Sequence, residues 1–233
     1  MNPYLSSSSL KRMSKGQLLG HYSQVIGILL FHTLCIVPLE ILIVSLLTPN
    51  TVVGYVIYEI AFFLLHIISG FFMAGEAFVY LKLSQGQRVV LNDLFTPLRE
   101  DQSRLFYVQL RISLITTCCT LPSSIVSAFT EDVRLYTWLY ILGALVSFIA
   151  ELFFSQCYFL LMDFQNMPAK EVISRSFSLV KKNFGRLLYL RLSFIPLVIL
   201  SVCSFGIGAL WVIPYTQATY TNFYLDLVRK KTV

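Results

Sequence analysis

The chain has 233 residues, 56% of them hydrophobic and only 13% charged, with a mean hydropathy of +0.71 and a formal net charge of +6. Soluble domains carry a charged fraction of about 25%, so this composition excludes an ordinary soluble protein and implies a polytopic membrane protein. A spanning helix takes roughly 20 mostly apolar residues, and the short alternating segments of a membrane barrel do not occur. The expected fold is all-α: a bundle of about six transmembrane helices with amphipathic helices on the cytoplasmic side, forming one domain over 1–233.

The N-terminal segment, 1–20, is polar and basic ("MNPYLSSSSLKRMSKG"). The apolar run behind it is too long for a cleaved signal peptide, which predicts an uncleaved anchor. Spans are predicted at 24–47, 52–83, 105–129, 135–162, 187–203 and 205–227. The second and fourth exceed what a bilayer needs, so they must tilt, bend or protrude, with Gly70 and Gly75 as expected bend points in the second.

Of the 18 Lys and Arg residues, all but Arg134 fall in the N-terminal segment, the second and fourth connections and their flanks, and the tail at 228–233. The positive-inside rule makes that side cytoplasmic and places both termini there, in the cell membrane. The other connections, "TPNT", "TEDVR" and "SFGIG", are short. Each returning helix ends on a related aromatic stretch, "FVYLKL", "CYFLLM" and "NFYLDL", a weak sign of a threefold repeat.

Two cytoplasmic segments read as helices. "QGQRVVLNDLFTPLRE" has "NDLF" as its helix start. The longer one, 164–186, has Pro168 in the first turn, Glu171 near the start, and Lys181 and Lys182 near the end, before Gly185. Ile173, Phe177, Val180 and Phe184 recur on one face while Lys170, Arg175 and Lys181 lie on the remainder, so this helix is basic and amphipathic. Lys170, Arg175, Lys181 and Lys182 are expected to meet anionic lipid of the inner leaflet, or the helix to brace the bundle from below.

The last span mixes apolar residues with Tyr, Thr, Gln and Asn. Tyr215, Thr219, Asn222 and Asp226 share one face, with Trp211 a turn above, and polar groups at this depth turn to protein or water. They are candidates for a polar interior, either as staples between helices or as the wall of a cavity. The ionisable residues of the other spans, His32, Glu40, Glu59, His66, Glu76 and Glu151, are candidates for the same reason. Counting residues from the first outer connection sets Glu40 level with Glu59, and His32 level with His66.

Cys35, Cys118, Cys119, Cys157 and Cys203 all lie in apolar stretches and are expected to be packing residues rather than a disulfide framework. No motif for a metal, a nucleotide or a catalytic nucleophile is present. No cofactor and no enzymatic activity are therefore expected.

The run from "CYFLLMDFQNMPAKEV" through "LSFI" and "GIGALWVIPY" to "FYLDL" resembles the integral membrane family called domain of unknown function 975. That resemblance implies a six-helix bacterial plasma membrane protein of Firmicute type and assigns no activity. Pro196 departs from the family pattern and bears on the straightness of the fifth helix. The function expected is non-enzymatic, within a transport or membrane-assembly system acting at the cytoplasmic face. A stand-alone small-molecule or ion transporter and a lipid-modifying enzyme are the alternatives. Expected partners are membrane lipids and another membrane protein or a second copy, not nucleic acid.

Overall fold

The computed structural model describes residues 4–47, 51–100, 102–129 and 132–229. The connection at 48–51, that at 130–134 and the basic tail lie partly or mostly outside them. The regular elements among the described residues are all helical, with no strand among them. The elements are α1 (Ser7–Leu18), α2 (Tyr22–Leu46), α3 (Val52–Ser84), a 3-10 turn (Leu91–Phe95), α4 (Thr96–Glu100), α5 (Gln102–Phe129), α6 (Val133–Phe154), α7 (Cys157–Asp163), α8 (Ala169–Leu192), α9 (Ile195–Cys203) and α10 (Ala209–Arg229).

Side-chain caps set several of these boundaries, since the first amide groups of a helix have no internal partner. Ser6 Oγ accepts from Ser9 N at 3.2 Å, Thr51 Oγ1 from Gly54 N at 3.1 Å, and Asp132 Oδ1 from Arg134 N and Leu135 N at 3.0 and 3.1 Å. Asp93 fixes the 3-10 turn twice, accepting from Val90 N at 2.9 Å and pairing with Lys82 Nζ at 2.8 Å. The "NDLF" start therefore opens a 3-10 turn, with α4 following it directly.

Among the described residues, five segments are long and apolar enough to cross a membrane: Tyr22–Leu46, Val52–Ser84, Gln102–Val126, Val133–Asp163 and Ala169–Cys203. The chain is a multi-pass membrane protein. The sixth expected span corresponds to α10, which falls outside this apolar set. Its second half is buried all round, Ala218, Thr219, Thr221, Asn222, Phe223, Tyr224, Asp226 and Leu227 included. Protein surrounds this half of α10, so its polar residues meet partners and its apolarity matters less.

Packing is uneven along the bundle. The buried core gathers residues of α1, the second half of α3, α7, α8 and the second half of α10. All of these lie toward the end where α1 packs on α10. At the opposite end α2, α3, α6 and α9 present large apolar side chains outward, among them Leu46, Val53, Trp138 and Val202. The three related aromatic stretches all reach the core, and Tyr224 stacks on Phe159 with ring centroids 5.3 Å apart.

Several expectations are corrected. α3 continues as one helix through Gly70 and Gly75, and both glycines permit a close approach by a neighbour. A Cβ on Gly75 would lie 2.0 Å from the carbonyl oxygen of Leu94, so only glycine lets the 3-10 turn lie against α3. The long fourth span does break, at Ser155 and Gln156 between α6 and α7.

The predicted amphipathic helix ends, as expected, at a kink before Gly185: Asn183 is non-helical (φ −128°, ψ 20°), and a second helical stretch follows it to Leu192 within α8. The fifth span breaks at Ser193 and Phe194, where α9 begins with Pro196 in its first turn. The α9–α10 connection turns through Phe205 and Gly206, both at positive φ (54° and 84°). Of the cysteines only Cys157 is buried; Cys118 and Cys203 are exposed, and all five are free.

Candidate functional site

The stripe on α10 meets the N-terminal helix. α1 buries Leu10, Ser14 and Leu18, spaced four apart on one face. Asn222 Nδ2 donates to Ser14 Oγ at 2.9 Å and to Gln17 Oε1 at 2.8 Å, while Gln17 Nε2 donates back to Asn222 Oδ1 at 3.1 Å. One turn on, Asp226 pairs with Arg186 of α8 at 2.8 Å and accepts from Leu5 N, and Arg186 also donates to Leu5 O at 2.8 Å. Thr219 satisfies its hydroxyl on Tyr215 O at 2.7 Å, and Tyr215 sets its ring edge-on to Phe194. Asn222 and Asp226 thus bind α10 to α1 and α8, whereas the Thr219 bond stays within α10. Trp211, a turn above, is exposed.

The pairing by depth is corrected. His32 Nδ1 lies 2.7 Å from Glu76 Oε1, not against His66. Phe31 and His32 both pack on Phe72, and this contact sets the register between α2 and α3. Glu40 is exposed near the far end of α2, and Glu59 is half-buried in the first half of α3.

On the basic helix Lys170, Lys181 and Lys182 are exposed, and Arg175 lies over the Phe164 ring at 4.6 Å. The neighbouring apolar face is partly occupied: Phe177 stacks on Phe153 and meets Phe154, and Phe184 stacks on Phe153. Ser176 Oγ donates to Phe153 O at 2.6 Å, closing the contact between α8 and α6.

Four ionisable groups, among them the exposed His66 and Glu151, line one open cleft, which Glu40 and Glu59 do not reach. A cavity of about 420 Å³ between α3, α5, α6, α7, α8 and α10 is lined by His66 and Glu76 of α3, Glu151 of α6 and Arg191 of α8. Pockets for small ligands run to about 300–1,000 Å³. Around these charges stand the amides of Gln109, Gln156 and Gln217 and the hydroxyls of Ser69, Ser113, Thr116, Tyr158 and Tyr220, with Met73, Ile112, Phe154, Phe159 and Leu187 as the apolar wall.

Much of this lining is held in place. Gln109 is buried; its Nε2 donates to His66 O at 2.8 Å and to Ser113 Oγ at 3.2 Å, and its Oε1 accepts from Tyr158 Oη. Gly70 makes room for that side chain, since a Cβ there would stand 1.8 Å from Gln109 Cδ. Arg191 stands 3.9 Å from Glu151 and lies over the Tyr220 and Phe148 rings.

Two polar atoms at the cavity remain unspent. Gln156 is 0% exposed, and its Nε2 donates to Ser155 Oγ at 2.8 Å while its Oε1 has no protein partner. Arg191 Nε, also buried, has none. Buried polar atoms are nearly always satisfied. Sequence reading missed Gln109, Gln156, Gln217 and Arg191, although an arginine shortly ahead of the strongly apolar stretch "LVILSVC" was a visible signal.

These features define a class: a multi-pass helical membrane protein in which His66, Glu76, Glu151 and Arg191 line one polar cavity. The chain belongs to the family described as Protein of unknown function (DUF975), whose model matches residues 1–231. No curated protein and no solved structure matches it.

Proposed function

We propose that this protein is a non-enzymatic transport protein that by itself holds and moves a small polar solute in the cavity between α3, α5, α6, α7, α8 and α10. The observation that carries this reading is the gathering of His66, Glu76, Glu151 and Arg191 around one space. Charged side chains in spans are costly and mark solute or ion paths when they face a common interior. In this reading the basic end is cytoplasmic by the positive-inside rule, the host is the bacterial plasma membrane, and the solute meets the protein from that side. Lys170, Lys181 and Lys182 rest against anionic lipid of the inner leaflet, adding about 1 kcal/mol each near the surface.

The test is accumulation by proteoliposomes containing the purified protein, incubated with an extract of small metabolites and read by mass spectrometry. At least one small polar solute is expected to accumulate above protein-free vesicles, and Ser69→Phe, which fills the cavity wall, is expected to abolish it. Accumulation of nothing by folded protein would overturn the reading.

A further inference from the structure

The cavity's unspent atoms are of opposite kinds. Arg191 Nε is a buried donor on a cationic group, and Gln156 Oε1 is a fully buried acceptor. A ligand that satisfies both must carry an acceptor at one end and a donor at the other. Guanidinium favours a planar carboxylate, which it grips with paired donors.

The carboxylates of Glu76 and Glu151 on the same wall oppose a ligand that is anionic throughout, and Arg191 opposes one that is cationic throughout. The ligand's charges therefore oppose each other and cancel. Its body is set by Met73, Ile112, Phe154, Phe159 and Leu187, which offer apolar contact beside the polar groups. A polyol would leave Arg191 with no counter-charge but Glu151, which stands 3.9 Å away with its own side chain 57% exposed.

We infer that the cavity takes a small zwitterion of the amino-acid type, its carboxylate on Arg191 and its ammonium toward Gln156 Oε1 and the Glu76/Glu151 side, with an apolar side chain on the Phe154/Phe159 wall. This rests on the transport reading and narrows it to a ligand class. Gln109, fixed between His66 O, Ser113 and Tyr158, keeps the floor of the site rigid.

The experiment is equilibrium dialysis of the full-length protein in lipid nanodiscs against an equimolar mixture of leucine, phenylalanine, leucinamide, N-acetylleucine, choline, succinate and glycerol. Leucine or phenylalanine is expected to be retained at least tenfold over leucinamide, which lacks the carboxylate, and over N-acetylleucine, which lacks the ammonium. Arg191→Gln is expected to erase the preference over leucinamide, and Gln156→Leu the preference over N-acetylleucine. Arg191→Lys, which keeps the charge, serves as the folding control and is expected to retain part of the binding.

Zwitterion retention unchanged in both Arg191→Gln and Gln156→Leu would place the ligand elsewhere and overturn the inference. Retention of another class from the mixture, or of none of it, would overturn it too. If none is retained while the extract assay still shows accumulation, the ligand class falls and the transport reading stands. If neither assay shows a solute, both fall.

Discussion

Asn222 and Ser14 stand 208 positions apart in the chain, yet the Asn222 amide donates to the Ser14 hydroxyl at 2.9 Å, both side chains being buried. Gln17 completes a reciprocal amide pair with the same asparagine. Asn222→Leu removes three hydrogen bonds and leaves the Gln17 amide to find water. A loss of roughly 1–3 kcal/mol is expected, concentrated in α1. Hydrogen exchange should rise across Ser7–Leu18 while the α3 and α7 amides stay protected; an unchanged α1 would refute the staple.

Asp226 holds Arg186 and the Leu5 amide together. Its side chain is only 4% exposed, whereas that of Arg186 is 24% exposed, so the pair is half-screened by solvent. Asp226→Ala is expected to cost about 2 kcal/mol, in the range for hydrogen bonds to charged groups. Asp226→Asn should cost less, because it keeps an acceptor for Leu5. Equilibrium unfolding in mixed micelles would compare the two.

His32 and Glu76 form a close pair within the spans. His32→Leu leaves the buried Glu76 carboxyl without this partner and is expected to lower stability by roughly 1–3 kcal/mol. Glu76→Gln keeps a polar partner for His32 and is expected to be milder. Thermal inactivation of the detergent-solubilised protein gives the ranking, and equal losses would contradict it.

Two glycines make opposite predictions for the same substitution. Gly75→Ala would drive a methyl against the Leu94 carbonyl, which is backbone and must shift. At Gly16 in α1 a Cβ would find nothing within 4 Å, so Gly16→Ala meets open space and removes a flexible residue from a helix interior. The first is expected to loosen the Leu91–Phe95 turn; the second should stabilise α1 by about 0.5–1 kcal/mol. Melting temperatures moving in the same direction would be the contrary result.

Lys11 lies outside the spans, donating to Ser193 O at 3.1 Å with its ammonium 4.2 Å from the Phe194 ring centroid. Burial, and then the nearby Lys15 charge, lower its pKa below the ordinary 10.5. The docked helix thus binds this proton less tightly than the free chain does, so docking strengthens as pH rises from the lowered pKa toward 10.5. Below that window the penalty is present in full. Cross-linking between α1 and α10 should increase on alkalinisation in the wild type, and Lys11→Met should remove that part of the pH dependence.

The spans were legible because apolar runs of membrane length have few other uses. The N-terminal helix was not: its buried Leu10, Ser14 and Leu18 make a narrow stripe in a polar segment, and nothing local names α10 as the partner. The α10 stripe was readable as inward-facing from its spacing alone. His32 was readable as a candidate, but matching depths chose His66. Aromatic packing on Phe72 moved the contact to Glu76, about three helical turns along α3. The cavity drew on residues from several helices far apart in the chain, and its amides carry no charge by which a linear reading could single them out.

The union of α1 with α10 also fixes an order of assembly. Synthesis delivers α1 well ahead of α10, so α1 waits with Leu10 and Leu18 uncovered until α10 has been made. Because α10 is not among the strongly apolar helices, its retention depends on a slot already shaped by the other helices. The final helix is therefore the closing piece: a chain ending before Ala209 keeps its five apolar segments but leaves the α1 edge unsealed, and cellular quality control is expected to remove it.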